Sequence, residues 1–149
     1  MDYRIEQKEA FKAVVVSRRF EIPDIERKIP GFWREFFEKG LDKKLIPCYG
    51  LGTPYDSETG TIAFGIGCPP DMVKKMQDDF ETWDIPSSKY IAFRINREKV
   101  VDEIEKVWKH INTKGIPIDG YEYSKVGFEI EDYAENGDIE LWVPVEEKQ

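Results

Sequence analysis

Asp138-Ile139-Glu140-Leu141-Trp142-Val143-Pro144-Val145 is the stretch from which the fold is read. Apolar residues alternate along it, and β-branched and aromatic types dominate, so it is a strand. Ile139, Leu141 and Val143 fall on one face, Glu140 and Trp142 on the other. A carboxylate beside an indole is an odd choice for a solvent face, and a buried charge must be paired, hydrogen-bonded or neutralised. Glu140 is therefore either a surface residue or the centre of a binding site.

Working outward, Asn136-Gly137 is a hairpin turn that pairs this strand with another at about Tyr123–Glu131. Upstream lies a helix opened by Asn96, striped by Val100, Val101, Ile104, Val107, Trp108 and Ile111, and ended by Gly115. Before it, Phe80–Asp84 and Lys89–Ile95 read as strands around Pro86-Ser87-Ser88. The first half repeats this order. Strands are expected at Tyr3–Gln7 and Phe11–Arg19. A helix follows, capped by Asp24, interrupted or restarted at Pro30, and stopped by Gly40. Its stripe is Ile25, Ile29, Phe32, Trp33, Phe36 and Phe37. Strands at about Ile46–Thr53 and Thr61–Gly67 close the half, and residues 68–79 connect it to the next.

The two halves superpose. At an offset of 77 residues Gly50 falls on Gly127, Gly60 on Gly137, Ile62 on Ile139, Ile66 on Val143 and Val14 on Ile91. The helices match at 75, with Trp33 on Trp108. The expectation is an α+β fold within a single domain, 1–149. It is built from tandem duplicated βαββ units, about 1–70 and about 78–149, that join in an antiparallel sheet. Both helices lie on one face, with a ligand cleft between the units. The face away from the helices carries Ala63, Gly65 and Gly67 in one half against Glu140, Trp142 and Pro144 in the other, with Gly50, Gly52, Gly127 and Glu129 on the facing strands. Glycine within a strand marks close approach by a ligand or another backbone, so this face reads as the cleft.

Composition narrows the function. Hydrophobic residues are 40% and charged residues 35%, as in a folded soluble chain. The net charge of −8, from 22 basic and 30 acidic residues, argues against a nucleic-acid groove and mildly favours cationic ligands. The opening residues carry no secretory pattern, and no apolar run reaches membrane-spanning length. Two cysteines, Cys48 and Cys68, fit a reduced cytoplasmic setting. With one histidine, His110, there is no zinc spacing and no Ser-His-Asp arrangement, and no Gly-rich phosphate loop is present. No metal and no cofactor is expected.

Three features together resemble the GyrI-like family, which includes the effector-binding domains of AraC-type and BmrR-type regulators. These are the two βαββ units, the segment Glu81-Thr82-Trp83-Asp84-Ile85-Pro86-Ser87-Ser88-Lys89-Tyr90-Ile91-Ala92-Phe93, and the terminal strand Asp138–Val145. Ser87-Ser88 replaces the Ala-Gly pair common in that family. The resemblance implies a pocket between the units for hydrophobic, often cationic, drug-like compounds, with Glu140 as the buried acidic contact. It implies a multidrug- or effector-binding protein linked to transcription regulation. The regulators' helix-turn-helix is missing, since the chain starts directly in the first strand, so the expected function is small-molecule binding by a standalone domain. Two alternatives stand beside it: a hydrolase of cyclopropanoid compounds using Glu140 and Tyr90, and a gyrase-inhibitor-like interaction protein. The expected partner is a small-molecule ligand, without nucleic acid or membrane.

The ligand-binding candidates are Glu140, Trp142, Tyr90, Trp83, Glu129 and Arg94. Trp142 and Tyr90 share the face of Glu140, and Arg94 on that face is its resting partner. Trp83 is divided between core and cleft. If the second hairpin pairs symmetrically, Glu129 stands opposite Glu140, and a bulge would move it to the rim. Like charges and aromatic surroundings would raise the Glu140 pKa. Trp33 and Trp108 are assigned to the core, and the acidic run at 129–138 to a solvated edge.

Overall fold

A computed structural model describes all 149 residues. The strands are β1 (Tyr3–Lys8), β2 (Phe11–Glu21), β3 (Tyr49–Gly52), β4 (Thr61–Cys68), β5 (Glu81–Ile85), β6 (Ser88–Ile95), β7 (Tyr121–Tyr123), β8 (Glu129–Tyr133) and β9 (Ile139–Glu147). The helices are α1 (Ile25–Glu38) and α2 (Val100–Lys114). All strands join one antiparallel sheet in the order β1-β6-β9-β8-β3-β4-β2-β5, with β7 extending the β8 side of β9. The α+β class and the duplication hold. Each half contributes three neighbouring strands and one helix, and β3 and β8 meet at the centre.

The leading strands cross over. β1 precedes β2 in sequence but pairs with β6 in the other half, and β5 precedes β6 but pairs with β2. The repeat therefore includes a fifth element, an edge strand given to the opposite half. Gln7 pairs with Lys89, and its repeat equivalent Asp84 pairs with Lys12.

One row of paired residues crosses the sheet and fixes its faces: Phe93, Leu141, Glu131, Gly50, Ile66 and Val16. Its outer members pack under the helices. Val16 and Ile66 join Phe32 and Phe36 of α1, while Phe93 and Leu141 join Val107 and Ile111 of α2. A glutamate and a glycine therefore stand at the middle of the row. The neighbouring row, Ala92, Trp142, Ile130, Leu51 and Gly65, points away from the helices. That face is filled as well: Tyr90, Trp142, Ala13, Val15, Ile85, Leu51 and Ile130 form a buried cluster with Trp83 and Phe128.

Several local expectations shift. Pro30 sits inside a continuous helix rather than breaking it. The chain enters α1 through a 3₁₀ turn at Ile22–Asp24, and Asp24 makes ion pairs with Arg27 and Lys28 instead of capping. Asn96 accepts a hydrogen bond from the Glu98 backbone N–H, two residues before α2 begins. The expected strand at 123–131 is two strands with a bulge between them. Tyr123 pairs with Val145 and Ile130 with Trp142, so the intervening chain loops out, with Val126 exposed at its tip. Both cysteines are free.

Candidate functional site

The register of β8 decides where the chemistry sits. The hairpin closes through Ala134 N–H to the Asp138 carbonyl, with Gly137 at φ 92°. A three-residue loop with a left-handed glycine is a standard hairpin closure. The residue opposite Glu140 is then Asp132, three positions beyond the symmetric expectation of Glu129. An odd slip turns a strand over. Phe128, Ile130 and Asp132 face away from the helices, and Glu129, Glu131 and Tyr133 face toward them.

Glu129 and Glu131 occupy the groove between α1 and α2. Across the central pairing, Gly52 lies opposite Glu129 and Gly50 opposite Glu131. A Cβ on Gly50 would come within 3.0 Å of Glu131 Oε1 and of Trp33 Cζ2, and 2.7 Å of Phe64 Cζ. The glycines thus leave the room that the carboxylates use. The Tyr133 hydroxyl donates to Glu131 Oε1 at 2.6 Å, and the Tyr123 hydroxyl to Glu129 Oε1 at 2.7 Å. Trp33 of α1 stands edge-on to Tyr133 at 5.2 Å between centroids, and Trp108 of α2 edge-on to Tyr123 at 6.1 Å. All six side chains keep part of their surface accessible, on the stretch of sheet between the cores packed under α1 and α2.

The electrostatics of this cluster are set by burial of two neighbouring carboxyls. Neither carboxylate has a basic partner. Burial pushes Glu129 up to about 7, against a smaller opposing effect of the Tyr123 hydrogen bond. Burial also pushes Glu131 up to about 7, with Glu129 adding like-charge repulsion. Both tyrosine hydroxyls are held well above their usual range, so they remain donors. No cluster with a metal-ligand donor set occurs.

The face of Glu140 is built differently. β1, crossing to β6, brings Arg4 to that carboxylate with hydrogen bonds of 2.5 and 3.1 Å. This Arg4 contact lowers the Glu140 pKa, against the expected rise. The strand opposite does supply a carboxylate, Asp132, but its compensating charge is Lys8, and for Glu140 the Arg4 contact prevails. Trp142 is 9% exposed and already carries Lys8 Nζ over its ring at 5.1 Å, Arg4 at 5.7 Å and Tyr90 edge-on at 5.7 Å. Its face is not free for a ligand cation. Tyr90 is buried, which raises its pKa to about 12, and its hydroxyl lies by Ser88 with no hydrogen bond to Glu140. Arg94 is exposed, and its nearest acid is Asp2 at 3.9 Å, so it is not the partner of Glu140. Trp83 packs on Phe128 and over Gly65, filling the space that the glycines seemed to leave empty. A depression of about 420 Å³ lies beside Glu140, lined by Arg4, Arg94, Asp132, Ala134, Asp138 and Glu140. Its charges largely compensate one another, and it offers one apolar side chain.

Of the residues expected in the site, only Glu129 lies in the helix-side groove, and not opposite Glu140. Glu131, Tyr123 and Tyr133 are not among the expected site residues, and Trp33 and Trp108 pack against the two cores as expected while also bordering the groove. The alternation of Phe128 and Ile130 with Glu129 and Glu131 does not by itself say which set faces the helices, because both faces of the sheet are buried.

Comparison with known proteins places this duplicated α+β fold among effector-binding proteins. Residues 4–145 match the Cass2 family, integron-associated effector binding proteins. The chain belongs to that family, which is GyrI-like. Among solved structures it is similar to SAV2435 bound to tetraphenylphosphonium, with 20% identity, TM-score 0.72, and 98% of this chain and 94% of that one covered. It is similar to the integron cassette protein VCH_CASS2 from the mobile metagenome of Vibrio cholerae, with 22% identity, TM-score 0.69, and 97% and 95% covered. A third likeness is a protein from Staphylococcus aureus MU50 described as a "putative bacterial transcription regulation protein", with 21% identity, TM-score 0.70, and 98% and 99% covered. A search of curated proteins returned no match. No helix is long and apolar enough to cross a membrane.

Proposed function

We propose that the protein binds lipophilic organic cations in the groove between α1 and α2. One observation carries this reading: two recessed carboxylates, Glu129 and Glu131, have tyrosine donors but no basic partner, and are walled by Trp33 and Trp108. A buried carboxylate without a counter-charge either takes a proton or takes a cation. An aromatic wall adds cation–π attraction to apolar burial. The likeness to SAV2435, a protein of the same fold bound to tetraphenylphosphonium, supports the ligand class.

The test is titration with tetraphenylphosphonium and with neutral triphenylphosphine oxide, followed by indole fluorescence and calorimetry. The cation should bind and the neutral compound should bind at least tenfold more weakly. Replacing both Glu129 and Glu131 by Gln should cost about 1–3 kcal/mol of affinity for the cation and leave the neutral compound unchanged. Equal binding of the two compounds, or an unaltered double variant, would overturn the reading.

A second reading, hydrolysis, rests on the 2.7 Å contact between Tyr123 and Glu129, a donor paired with a carboxylate near neutrality. It moves the acid–base pair from Tyr90 and Glu140 into the groove. Product analysis with strained cyclopropanes separates it from binding, because a pure binder returns the compound unchanged.

A further inference from the structure

The groove contains two complete sets of contacts. Trp33, Tyr133 and Glu131 form one, on the side of α1, and Trp108, Tyr123 and Glu129 form the other, on the side of α2. The two carboxylates are alternate residues of one strand, so their Cβ atoms lie about 6–7 Å apart on the same face. Opposite each stands a glycine, so no side chain of β3 intrudes on either.

We propose that the groove is a two-headed site whose preferred ligand carries two cationic groups about 6–7 Å apart, one for each carboxylate. The inference rests on the cation-binding reading above and extends it to the ligand's charge count and spacing. A ligand with one positive centre compensates one carboxylate and leaves the other recessed without a partner. That second group must then keep a proton or stay charged at a cost. A ligand with two centres compensates both, and each centre meets its own tyrosine-oriented carboxylate and its own indole. Both carboxyls lie near neutrality before a ligand arrives, which fits a site whose charge is completed by its ligand.

The test is calorimetry at pH 8 with α,ω-bis(trimethylammonium) alkanes of increasing length, benzyltrimethylammonium and tetraphenylphosphonium. Affinity should peak at about four to five methylenes, where the nitrogens match the carboxylate spacing. The optimum should exceed benzyltrimethylammonium by roughly 10- to 100-fold. Glu129→Gln and Glu131→Gln, measured separately, should each remove that advantage while changing tetraphenylphosphonium affinity less than about threefold. Their melting temperatures show that the variants are folded. A flat length series beside intact tetraphenylphosphonium binding would overturn the two-headed site and leave the cation-binding reading standing. Failure of every cation to bind would overturn both.

Discussion

Glu129 and Glu131 give the groove a pH signature. Their pKa values rise from 4.5 when exposed to about 7 when folded. Between those values the folded chain binds more protons than the unfolded one, so stability must fall as pH rises through the window. The lost stability is on the order of a few kcal/mol for the pair. Melting temperature measured from pH 5 to pH 8 should therefore decline, and the Glu129→Gln, Glu131→Gln double variant should flatten the curve and melt higher at pH 8. A curve that is flat for the parent chain would show that neither carboxylate is held neutral. Affinity for a cation runs the other way, strengthening as the carboxyls deprotonate. Glu140 behaves differently because Arg4, 46% exposed, already pairs with it. Glu140→Gln should cost about 1 kcal/mol or less and leave cation affinity unchanged. A tenfold loss of affinity in that variant would return the site to the opposite face.

At the scale of elements, most of the fold was legible. The helix stripes, the hairpin glycines and the repeat of Ile62–Ile66 on Ile139–Val143 placed every major strand and both helices. The side of the sheet that each hairpin residue faces was not legible, because it depends on a register that a bulge and a loop can change by one residue. The bulge between Tyr123 and Glu129 and the three-residue loop at 135–137 together turned Glu129 toward the helices. The partner of Glu140 was also hidden, since nothing local in β1 says that it crosses to the other half. The glycines mark close approach, but by side chains of the protein itself, and Gly50 and Gly52 face the helices rather than the opposite side. Trp83 covers Gly65, and the Glu131 carboxylate lies over Gly50. Gly50→Ala should accordingly overpack against Phe64, Trp33 and Glu131, costing about 1–3 kcal/mol of stability and narrowing the groove. Unchanged unfolding and ligand affinity would show that those neighbours move aside freely.

For the whole molecule, exchange of the edge strands ties the halves together. β1 completes the second half and β5 completes the first, so neither half can open without stripping a strand from the other. Denaturant unfolding should be a single transition, coincident by far-ultraviolet circular dichroism and by tryptophan fluorescence. Two separated transitions would show that the halves are independent.

The same exchange bears on how such a groove could arise. A chain of half this length would have an edge strand to give and an edge to fill, and two copies could satisfy each other around a true twofold axis. That ancestor would be bound by its symmetry. Its two central strands would be identical, so both would carry the glycines or both the glutamates. The first arrangement has room but no charge, and the second sets four carboxylates against one another. Joining the copies in one chain releases the two central strands to diverge, one toward emptiness and the other toward charge. The pairing of Gly50 with Glu131 and of Gly52 with Glu129 is the outcome that only a broken symmetry allows.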